Sequence, residues 1–508
     1  MTPAGRALLE RLSFFTNDPV PEFLLDVPVP GVEAAGLEPL LDLQRFSLIT
    51  RDADADSFTV HRIVRDVTNR RLTTEPGLSR ARLAEATSWL DAAFEGNPED
   101  VRSWPRFDPL APHAEALAWA ADEAGIADPT SLLMGQLGVL FHVKAQHSQA
   151  ERFSRRALAI DETIAGSDHL IVATRLNNLA GLLQDTNRLA EAERLYRRAL
   201  AIVETSLGPD HSNVATCLNN LALLLRAINR LAEAEPLFRR ALAIVETSLG
   251  PDHPDLATEL DNLAGLLLGT NRQAEAEPLF RRALAIDEAS RGPDHPNVAI
   301  RLNNLATLLQ DTNRPAEAEP LYRRALAIDE TSLGPDHPNV ARDLNNLASL
   351  LKATNRLVAA EPLYRRALAV AETNLGPDHP TVAAYVSNLA TLLRATNRLA
   401  EAEPLYRRAL AIDEASLGPD HPHVAIDLNN LARLLQDTNR IAEAEPLMRR
   451  MVVIFLAFQR ATGHAHPHRD VAIQNYAILL SAMNLDEASI RAALLDALRE
   501  AGLPVSDP

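Results

Sequence analysis

The sequence is short of several residue types, and each shortage excludes a class of protein. Cys217 is its one cysteine in 508 residues, which excludes an internal disulfide framework and is typical of a reducing compartment. The longest late apolar run, residues 451–458, is too short to span a bilayer. Near the N-terminus, Glu10 and Arg11 interrupt the apolar run that a signal segment needs. We therefore expect a soluble, cytoplasmic protein with no membrane partner.

Lysine is also scarce, and its placement excludes one kind of active site. The sequence contains two lysines, Lys144 and Lys352. A phosphate-binding loop requires a glycine-rich turn that ends in Lys-Ser or Lys-Thr at the start of a helix, and neither lysine has that setting. No set of nucleophile, general base and oxyanion donors can be assembled either. We expect a protein without enzymatic activity and without a cofactor.

Basic residues are outnumbered by acidic ones, and the formal net charge is −18. Nucleic acids and anionic membranes are bound by basic surfaces. The charge balance therefore argues against both as partners and indicates nothing more specific.

The dominant feature of the sequence is a repeat. An Asp-His pair recurs at a constant interval of 42 residues. A fixed period of this size is the signature of stacked supersecondary units, so residues 128–463 are predicted to form a solenoid. Its first copy is degenerate, because residues 155–158 fall one period before residues 197–200 but the preceding helix lacks the later pattern. The pairs begin at Asp168, Asp210, Asp252, Asp294, Asp336, Asp378 and Asp420.

Each copy is predicted to contain two amphipathic helices. Apolar residues recur at helical spacing in residues 176–183 and again in residues 189–207, and Asn187 lies in the short turn between them. Gly208 ends the second helix, since glycine adopts the left-handed conformation at a helix C-terminus. Each Asp of an Asp-His pair is interpreted as an acidic cap of the next helix. This makes the fold all-α, built from antiparallel helix pairs.

No metal site is predicted. Successive Asp-His pairs belong to different copies and lie at helix starts, so capping explains them better than zinc binding. The histidine cluster His464, His466 and His468 is not assigned to a metal either. Cys217 is in register with Arg175, Glu259 and Arg301, and we expect it to be partly exposed.

This spacing resembles the tetratricopeptide repeat, and the 42-residue period is similar to that of the kinesin light chain. The small residues of the family fall on Ala180, Ala192 and Ala199, and its aromatic position falls on Tyr196. The resemblance covers roughly residues 128–497. It implies a right-handed superhelical solenoid whose first helices line a concave groove that binds a protein or peptide. Residues 464–508 are assigned to a drifted last repeat and a capping helix.

Residues 1–75 do not follow the repeat. Helices are predicted over residues 4–14, 21–25, 31–43 and 63–72, with strands over 46–50 and 57–61 around a polar turn. This is the order of a winged-helix domain, and the segment resembles the winged helix of STAND-class signalling NTPases. The candidate DNA-recognition helix, residues 33–43, is acidic, which argues against DNA binding. Residues 76–127 are predicted to be a helical linker.

His61 is the residue that carries the likeness to the STAND class. In that family a histidine at this position touches bound ADP, but of the three motif positions Val60, His61 and Arg62 only the histidine matches. Two interpretations stay open. His61 packs the end of a strand, or it senses a nucleotide held by an NTPase domain that another chain or an upstream segment supplies.

A row of asparagines marks the first helix of every copy, although asparagine in a helix costs up to about 0.7 kcal/mol relative to alanine. Three interpretations stay open: common ancestry of duplicated copies, a row that bonds adjacent helices, and a ladder that binds the backbone of an extended peptide. The resemblance favours the third, because peptide-binding members of the family carry a clamp asparagine in this register. The row consists of Asn178, Asn220, Asn262, Asn304, Asn346, Asn388 and Asn430.

Four basic residues lie at variable positions of the predicted groove: Arg342, Lys352, Arg394 and Arg433. In an acidic protein, this local excess suggests an acidic or carboxylate-bearing peptide ligand. The alternative is that they are solvated surface cations. The function predicted from the sequence is therefore a non-enzymatic protein-interaction scaffold; the alternative is a sensor arm of a STAND-type NTPase whose nucleotide-binding domain is outside this sequence.

Overall fold

The structure is a computed structural model that describes residues 1–28, 36–52 and 54–503. These residues form 24 α-helices and three short strands. The chain divides into two compact units, unit 1 (Met1–Leu182) and unit 2 (Leu183–Pro508). The all-α prediction is confirmed for the solenoid by consecutive paired packing of helices. The finer domain boundaries, after residues 75, 127 and 463, stay predictions.

Unit 1 begins with a small mixed segment. Its three strands are antiparallel in the order β1-β3-β2, and Ile49 pairs with Val60 in the hairpin that the sequence predicts. Strand β1 is not predicted, because two residues are too short for an alternating pattern. The elements are α1 Pro3–Leu12, β1 Val20–Pro21, a 3-10 helix Glu22–Asp26, α2 Leu37–Arg45, β2 Ile49–Asp52, β3 Ser57–Val60 and α3 Arg62–Thr73.

The predicted helices over residues 31–43 and 33–43 lie in part outside the described residues, and α2 starts at Leu37. Assignment of this segment to a winged-helix domain stays a prediction. Its core is anchored by Trp89, whose indole Nε1 donates to the carbonyls of Leu24 at 2.9 Å and Val27 at 3.0 Å. A buried indole N–H needs such a partner, and here it fixes the 3-10 helix onto the helix Pro76–Ala93, which contains Trp89.

The rest of unit 1 is helical. Helices α7 and α8 pack together as the degenerate first pair, and their contact is close at Gly138. A β-carbon at that position would lie 2.5 Å from Ser154 Oγ, so any larger residue would require the Ser154 side chain to move. The elements are α4 Pro76–Ala93, a 3-10 helix Val101–Ser103, α5 Trp104–Phe107, α6 Ala111–Glu123, α7 Thr130–Val143, α8 His147–Ala165 and α9 Leu170–Asp185, the last ending just inside unit 2.

Unit 2 repeats a pair made of a shorter first helix and a longer second helix. The first helices are α11 Ser212–Ala227, α13 Pro254–Gly269, α15 Pro296–Asp311, α17 Pro338–Ala353, α19 Pro380–Ala395 and α21 Pro422–Asp437. The second helices are α10 Leu189–Leu207, α12 Leu231–Leu249, α14 Gln273–Arg291, α16 Pro315–Ser332, α18 Leu357–Leu375, α20 Leu399–Leu417 and α22 Ile441–Thr462. The unit ends with α23 Arg469–Ala482 and α24 Glu487–Glu500.

Local chemistry fixes where these helices begin and end. In the pair that starts at α15, the turn between the helices places Asn313 at φ 58°, and Gly334 follows the second helix at φ 93°. Asparagine and glycine tolerate this left-handed region best. The predicted acidic cap is wrong in one respect: His295, not Asp294, is the capping residue, because its Nδ1 accepts from the backbone N–H of Asn297 at 3.1 Å.

The pairs nest through small side chains. Ala306, Ala318 and Ala325 are fully buried where helices cross, and Tyr322 fills the space beside them at 2% exposure. First helices of neighbouring pairs also contact each other, for example α13 with α15 and α15 with α17. These contacts are closer than those between neighbouring second helices. The first helices therefore form the inner face of unit 2.

Polar residues are buried at the boundary between one pair and the next. Cys217 is 2% exposed, so the prediction that it is partly exposed is wrong; Arg175, Glu259 and Arg301 in the same register are also buried. This register faces the second helix of the preceding pair. Arg301 Nε donates to Asp287 Oδ2 at 2.7 Å, and Arg301 also forms an ion pair with Asp261.

A long-range contact occurs within unit 2. Asn229 Nδ2, in the turn between α11 and α12, donates to the carbonyl oxygen of Ala465 at 3.1 Å across 236 residues of sequence. Helices α10 and α22 also touch. Early and late pairs of the unit therefore meet.

Two features are missing from the described ranges. None of their helices is long and apolar enough to cross a membrane. They also contain no group of three or more His, Cys, Asp or Glu side chains that could hold a metal ion.

Glu259 provides a pH-dependent test of the packing. Burial, followed by the charge of Asp255, raises the pKa of Glu259 to about 7, and its Oε2 has no hydrogen-bond partner among the described residues. The unfolded state releases this proton near pH 4.3, so stability should fall as pH rises from about 4.5 to 7 and stay level above. Glu259→Gln should raise the Tm at pH 8, by the equivalent of about 3 kcal/mol at most, and have little effect at pH 4.5. Glu38→Gln, at an exposed site, is the control and should leave the Tm unchanged at both pH values. If Glu259→Gln shifts the Tm equally at pH 4.5 and pH 8, the raised pKa of Glu259 is contradicted.

Candidate functional site

The candidate site is the inner surface of unit 2, formed by its first helices. The predicted asparagines at positions 220 to 430 are half-buried there, whereas Asn178 in unit 1 is exposed. The variable positions one turn on, such as Thr307 and Arg433, are exposed, and Ser349 and Thr391 are partly so. A constant polar row thus runs beside positions that differ between copies.

The asparagine row is a hydrogen-bonded ladder. In five members of the row, the side-chain Nδ2 donates to a side chain on the first helix of the preceding pair, 43 residues earlier. The bonds are Asn262 to Asn219 Oδ1 at 3.1 Å, Asn304 to Asp261 Oδ2 at 2.8 Å, Asn346 to Asn303 Oδ1 at 3.1 Å, Asn388 to Asn345 Oδ1 at 2.9 Å and Asn430 to Ser387 Oγ at 3.3 Å.

These bonds account for one of the three interpretations of the row, the one in which it bonds adjacent helices. They engage the donor of each amide but not its acceptor. The Oδ1 atoms of Asn262, Asn304, Asn346 and Asn388 accept no hydrogen bond within the described part of the chain. Binding of a peptide by this row stays a prediction, and the atoms available for it are these carbonyl oxygens.

Arg342 is already engaged by the protein. Its Nη2 lies 3.0 Å from Asp343 Oδ1 and 3.2 Å from Asp329 Oδ2, and both carboxylates are fully buried. Burial, followed by the charge of Asp343, raises the pKa of Asp329 to about 7. Arg342 therefore compensates two buried acids, and little of its charge remains for a ligand.

Arg394 is also paired, at the far end of its helix. Its Nε lies 2.5 Å from Asp437 Oδ2 on the next first helix, and both side chains are partly exposed. Exposed ion pairs contribute only about 0–1 kcal/mol. A ligand carboxylate can therefore compete for this arginine more easily than for Arg342.

Lys352 and Arg433 are different, because within the described residues neither has a carboxylate partner. Lys352 is partly buried, and burial lowers its pKa; Arg433 is exposed. A third such cation was not predicted: Arg226 occupies the register of Lys352, and burial lowers its pKa too. Its Nη1 lies 3.0 Å from where a β-carbon of Gly265 would stand. The signal for Arg226 was available in the sequence, since it recurs three periods before Lys352.

The outer surface shows the opposite pattern. Five arginines that precede second helices each bridge a glutamate in the preceding pair and another three residues on, as Arg314 does with Glu277 at 2.9 Å and Glu317 at 2.7 Å. Arg356 makes only the bond to the preceding pair, and this bond is the chief cause that lowers the pKa of Glu319 to about 2. Cations on the outer face are thus largely neutralised within the solenoid.

His61 lies outside this surface, in unit 1. Its Nε2 is 2.8 Å from Thr50 Oγ1 across the β2–β3 hairpin, and the residue directly precedes α3. This geometry agrees with the strand-end interpretation. The nucleotide-sensing interpretation stays a prediction.

Comparison with protein families gives two matches. Residues 128–452 match the model described as Tetratricopeptide repeat in seven overlapping stretches. Residues 1–76 match the model described as Domain of unknown function (DUF7779). The first match covers more than half of the chain.

Among solved structures, this chain is similar to a kinesin light chain of Podosopora anserina with nearly identical TPR-like repeats, at 24% identity over 40% of this chain and 97% of that chain, with a TM-score of 0.34. It is similar to BtubC of P. vanneervenii at 25% identity over 45% of this chain and 91% of that chain, with a TM-score of 0.37. It is also similar to a STAND protein of Pyrococcus horikoshii with a tetratricopeptide repeat sensor, at 15% identity over 80% of this chain and 62% of that chain, with a TM-score of 0.39. Comparison with curated proteins gave no match.

The ladder can be tested by its effect on stability. Asn346→Ala removes the bond to Asn303 and should cost about 1 kcal/mol, partly offset by the better helix propensity of alanine. Asn475→Ala is the control, since Asn475 has the same position in the last pair but makes no such bond in the described residues. Asn475→Ala should therefore leave the Tm unchanged or raise it, while Asn346→Ala lowers it. Thermal denaturation followed by circular dichroism measures both, and equal effects contradict the ladder.

Proposed function

The chain belongs to the tetratricopeptide repeat family, and from that premise we propose that unit 2 binds an extended, acidic peptide segment of a partner protein along the surface of its first helices. Repeats of this family are protein-interaction scaffolds and are generally non-catalytic. The identity of the ligand class is the part that we add.

The contrast between the two faces supports this proposal. On the outer face, arginines are paired with glutamates of the same chain, although the protein carries a net charge of −18. On the inner face, Arg226, Lys352 and Arg433 have no carboxylate partner within the described residues. Arg226 and Lys352 are half-buried, and a half-buried cation without a partner is unfavourable in the free protein. A ligand carboxylate relieves that cost on binding.

The ladder supports an extended backbone as the bound form. The Oδ1 atoms of Asn262, Asn304, Asn346 and Asn388 recur on successive first helices, and each is an acceptor for a backbone N–H. Two carboxylates of unit 2, Asp311 and Asp437, occupy the same register at the ends of first helices. Asp437 is paired with Arg394, and burial raises the pKa of Asp311. Both oppose an acidic ligand at these positions.

A peptide array tests the acidic-ligand proposal. The full chain, labelled with a fluorophore, is applied to immobilised extended peptides of varied charge, and the peptides it retains should be acidic. Binding to these peptides should weaken with added salt. Lys352→Glu combined with Arg433→Glu should lower affinity 10-fold or more, because each charged hydrogen bond contributes about 1.5–3 kcal/mol.

Arg194→Glu is the matched control, since Arg194 is an exposed arginine on the second helix α10. This variant should leave the affinity for acidic peptides unchanged. Retention of neutral or basic peptides, or a double variant that binds like the unaltered chain, would refute the proposal.

A second function, as a regulatory arm for a separate NTPase domain, is favoured by one observation. The elements of unit 1 follow the order helix, strand, helix, helix, strand, strand, with His61 at the end of the last strand. If this function is correct, a P-loop NTPase should co-purify with the chain, and His61→Ala should weaken that association only when ADP is bound. Thr50→Val, which removes the hydroxyl partner of His61, separates loss of ring positioning from loss of the ring itself.

A further inference from the structure

Each rung of the ladder is one bond from an asparagine Nδ2 to the first helix of the preceding pair. At the end of unit 2 the last rung is not formed, and we call it the open rung. In the last pair, Asn475 precedes the left-handed Asn484 by nine residues, just as Asn430 precedes Asn439. Asn475 is therefore the counterpart of Asn430, and its expected acceptor is Asn429. That bond is absent: Asn429 Oδ1 is buried without a hydrogen-bond partner among the described residues.

The sequence explains why this rung is open. Left-handed turn asparagines are 42 residues apart from Asn397 to Asn439 but 45 apart from Asn439 to Asn484. Three extra residues therefore separate the last two turns. They are taken up by a longer second helix, since α22 has 22 residues where α20 has 19. The last first helix, α23, consequently has a different register against α21.

A cavity of about 170 Å³ lies at the open rung. Asn429 and Asn475 both line it, and the rest of its wall is mainly apolar, with Ile426, Met451, Phe455 and Val471. A cavity of this size has room for a benzene-sized apolar group. Ile426 and Val471 remain 38% and 55% exposed, so the cavity is accessible from the inner face.

We propose that the open rung binds a backbone amide of the peptide ligand and that a leucine-sized side chain next to this amide fills the cavity. A peptide group offers the same donor and acceptor as the asparagine amide that completes the other rungs. Its N–H donates to Asn429 Oδ1, and its carbonyl accepts from Asn475 Nδ2. Because a buried acceptor without a donor is unfavourable in the free protein, the bond adds to affinity. The proposal rests on the proposed function only in that the ligand is a peptide.

A pair of capped amino acids tests the site without knowledge of the natural ligand. N-acetyl-leucine methylamide and N-acetyl-glycine methylamide carry the same amides and differ in the side chain. Saturation-transfer NMR on the full chain should detect the leucine derivative and give at least 10-fold weaker signal for the glycine derivative. Equal signals overturn the proposal, because they show that the leucine side chain adds nothing to binding.

Two variants locate the binding. Val471→Trp places an indole in the cavity from its exposed edge and should abolish the signal, while Asn429→Ala removes the acceptor and should lower it 10-fold or more. Asn345→Ala, at a closed rung, is the control and should leave the signal unchanged, and circular dichroism checks that each variant folds. Retention of the signal in both cavity variants refutes the site. The Lys352→Glu and Arg433→Glu variant lies outside the cavity, so failure of the acidic-peptide proposal leaves the leucine signal intact.

Discussion

No single helix pair of this protein can bury its own apolar face, and that constraint determines where its polar residues are placed. Every pair is covered by the next, so the boundary between pairs is both the core and the place where a polar residue must find a partner in another copy. Alanines such as Ala306 and Ala318 allow the close approach. At that distance Arg301 reaches Asp287 and Asp261, and the asparagine amides reach the preceding first helix. The buried charges and the ladder are both consequences of nearest-neighbour burial.

The repeat made the helix pairs predictable, because period, apolar stripes and turn residues all point to the same elements. Contacts between copies were not predictable in the same way. The ladder depends on a 43-residue offset between Asn346 and Asn303, which follows from how adjacent helices are placed and not from spacing within one copy. Cys217 and Arg301 share a register that faces a neighbouring second helix, so a pattern taken within one helix gave the wrong exposure. The cap failed for a similar reason: Asp is the stronger statistical cap, but the local geometry presents the imidazole of His295.

The candidate site was predicted in part. The inner face and its constant asparagines follow from the repeat, but which cations remain available depends on partners in other copies. Arg342 and Lys352 are ten residues apart on one helix, yet the first is held by two buried carboxylates and the second by none among the described residues. A sequence shows that both are basic. It does not show which of them is already neutralised, and this difference determines the charge that a ligand meets.

The bond between Asn229 and Ala465 has a consequence for the number of copies. In a solenoid of near-identical copies, each pair ordinarily contacts only its neighbours. Here a contact joins a turn early in unit 2 to a segment late in it, across 236 residues. Loss of one 42-residue copy would leave every local interface intact and still separate these two segments. The contact therefore depends on the number of copies between Asn229 and Ala465. A variant with one copy more or fewer would lose this interaction even where the added or deleted copy lies far from both residues.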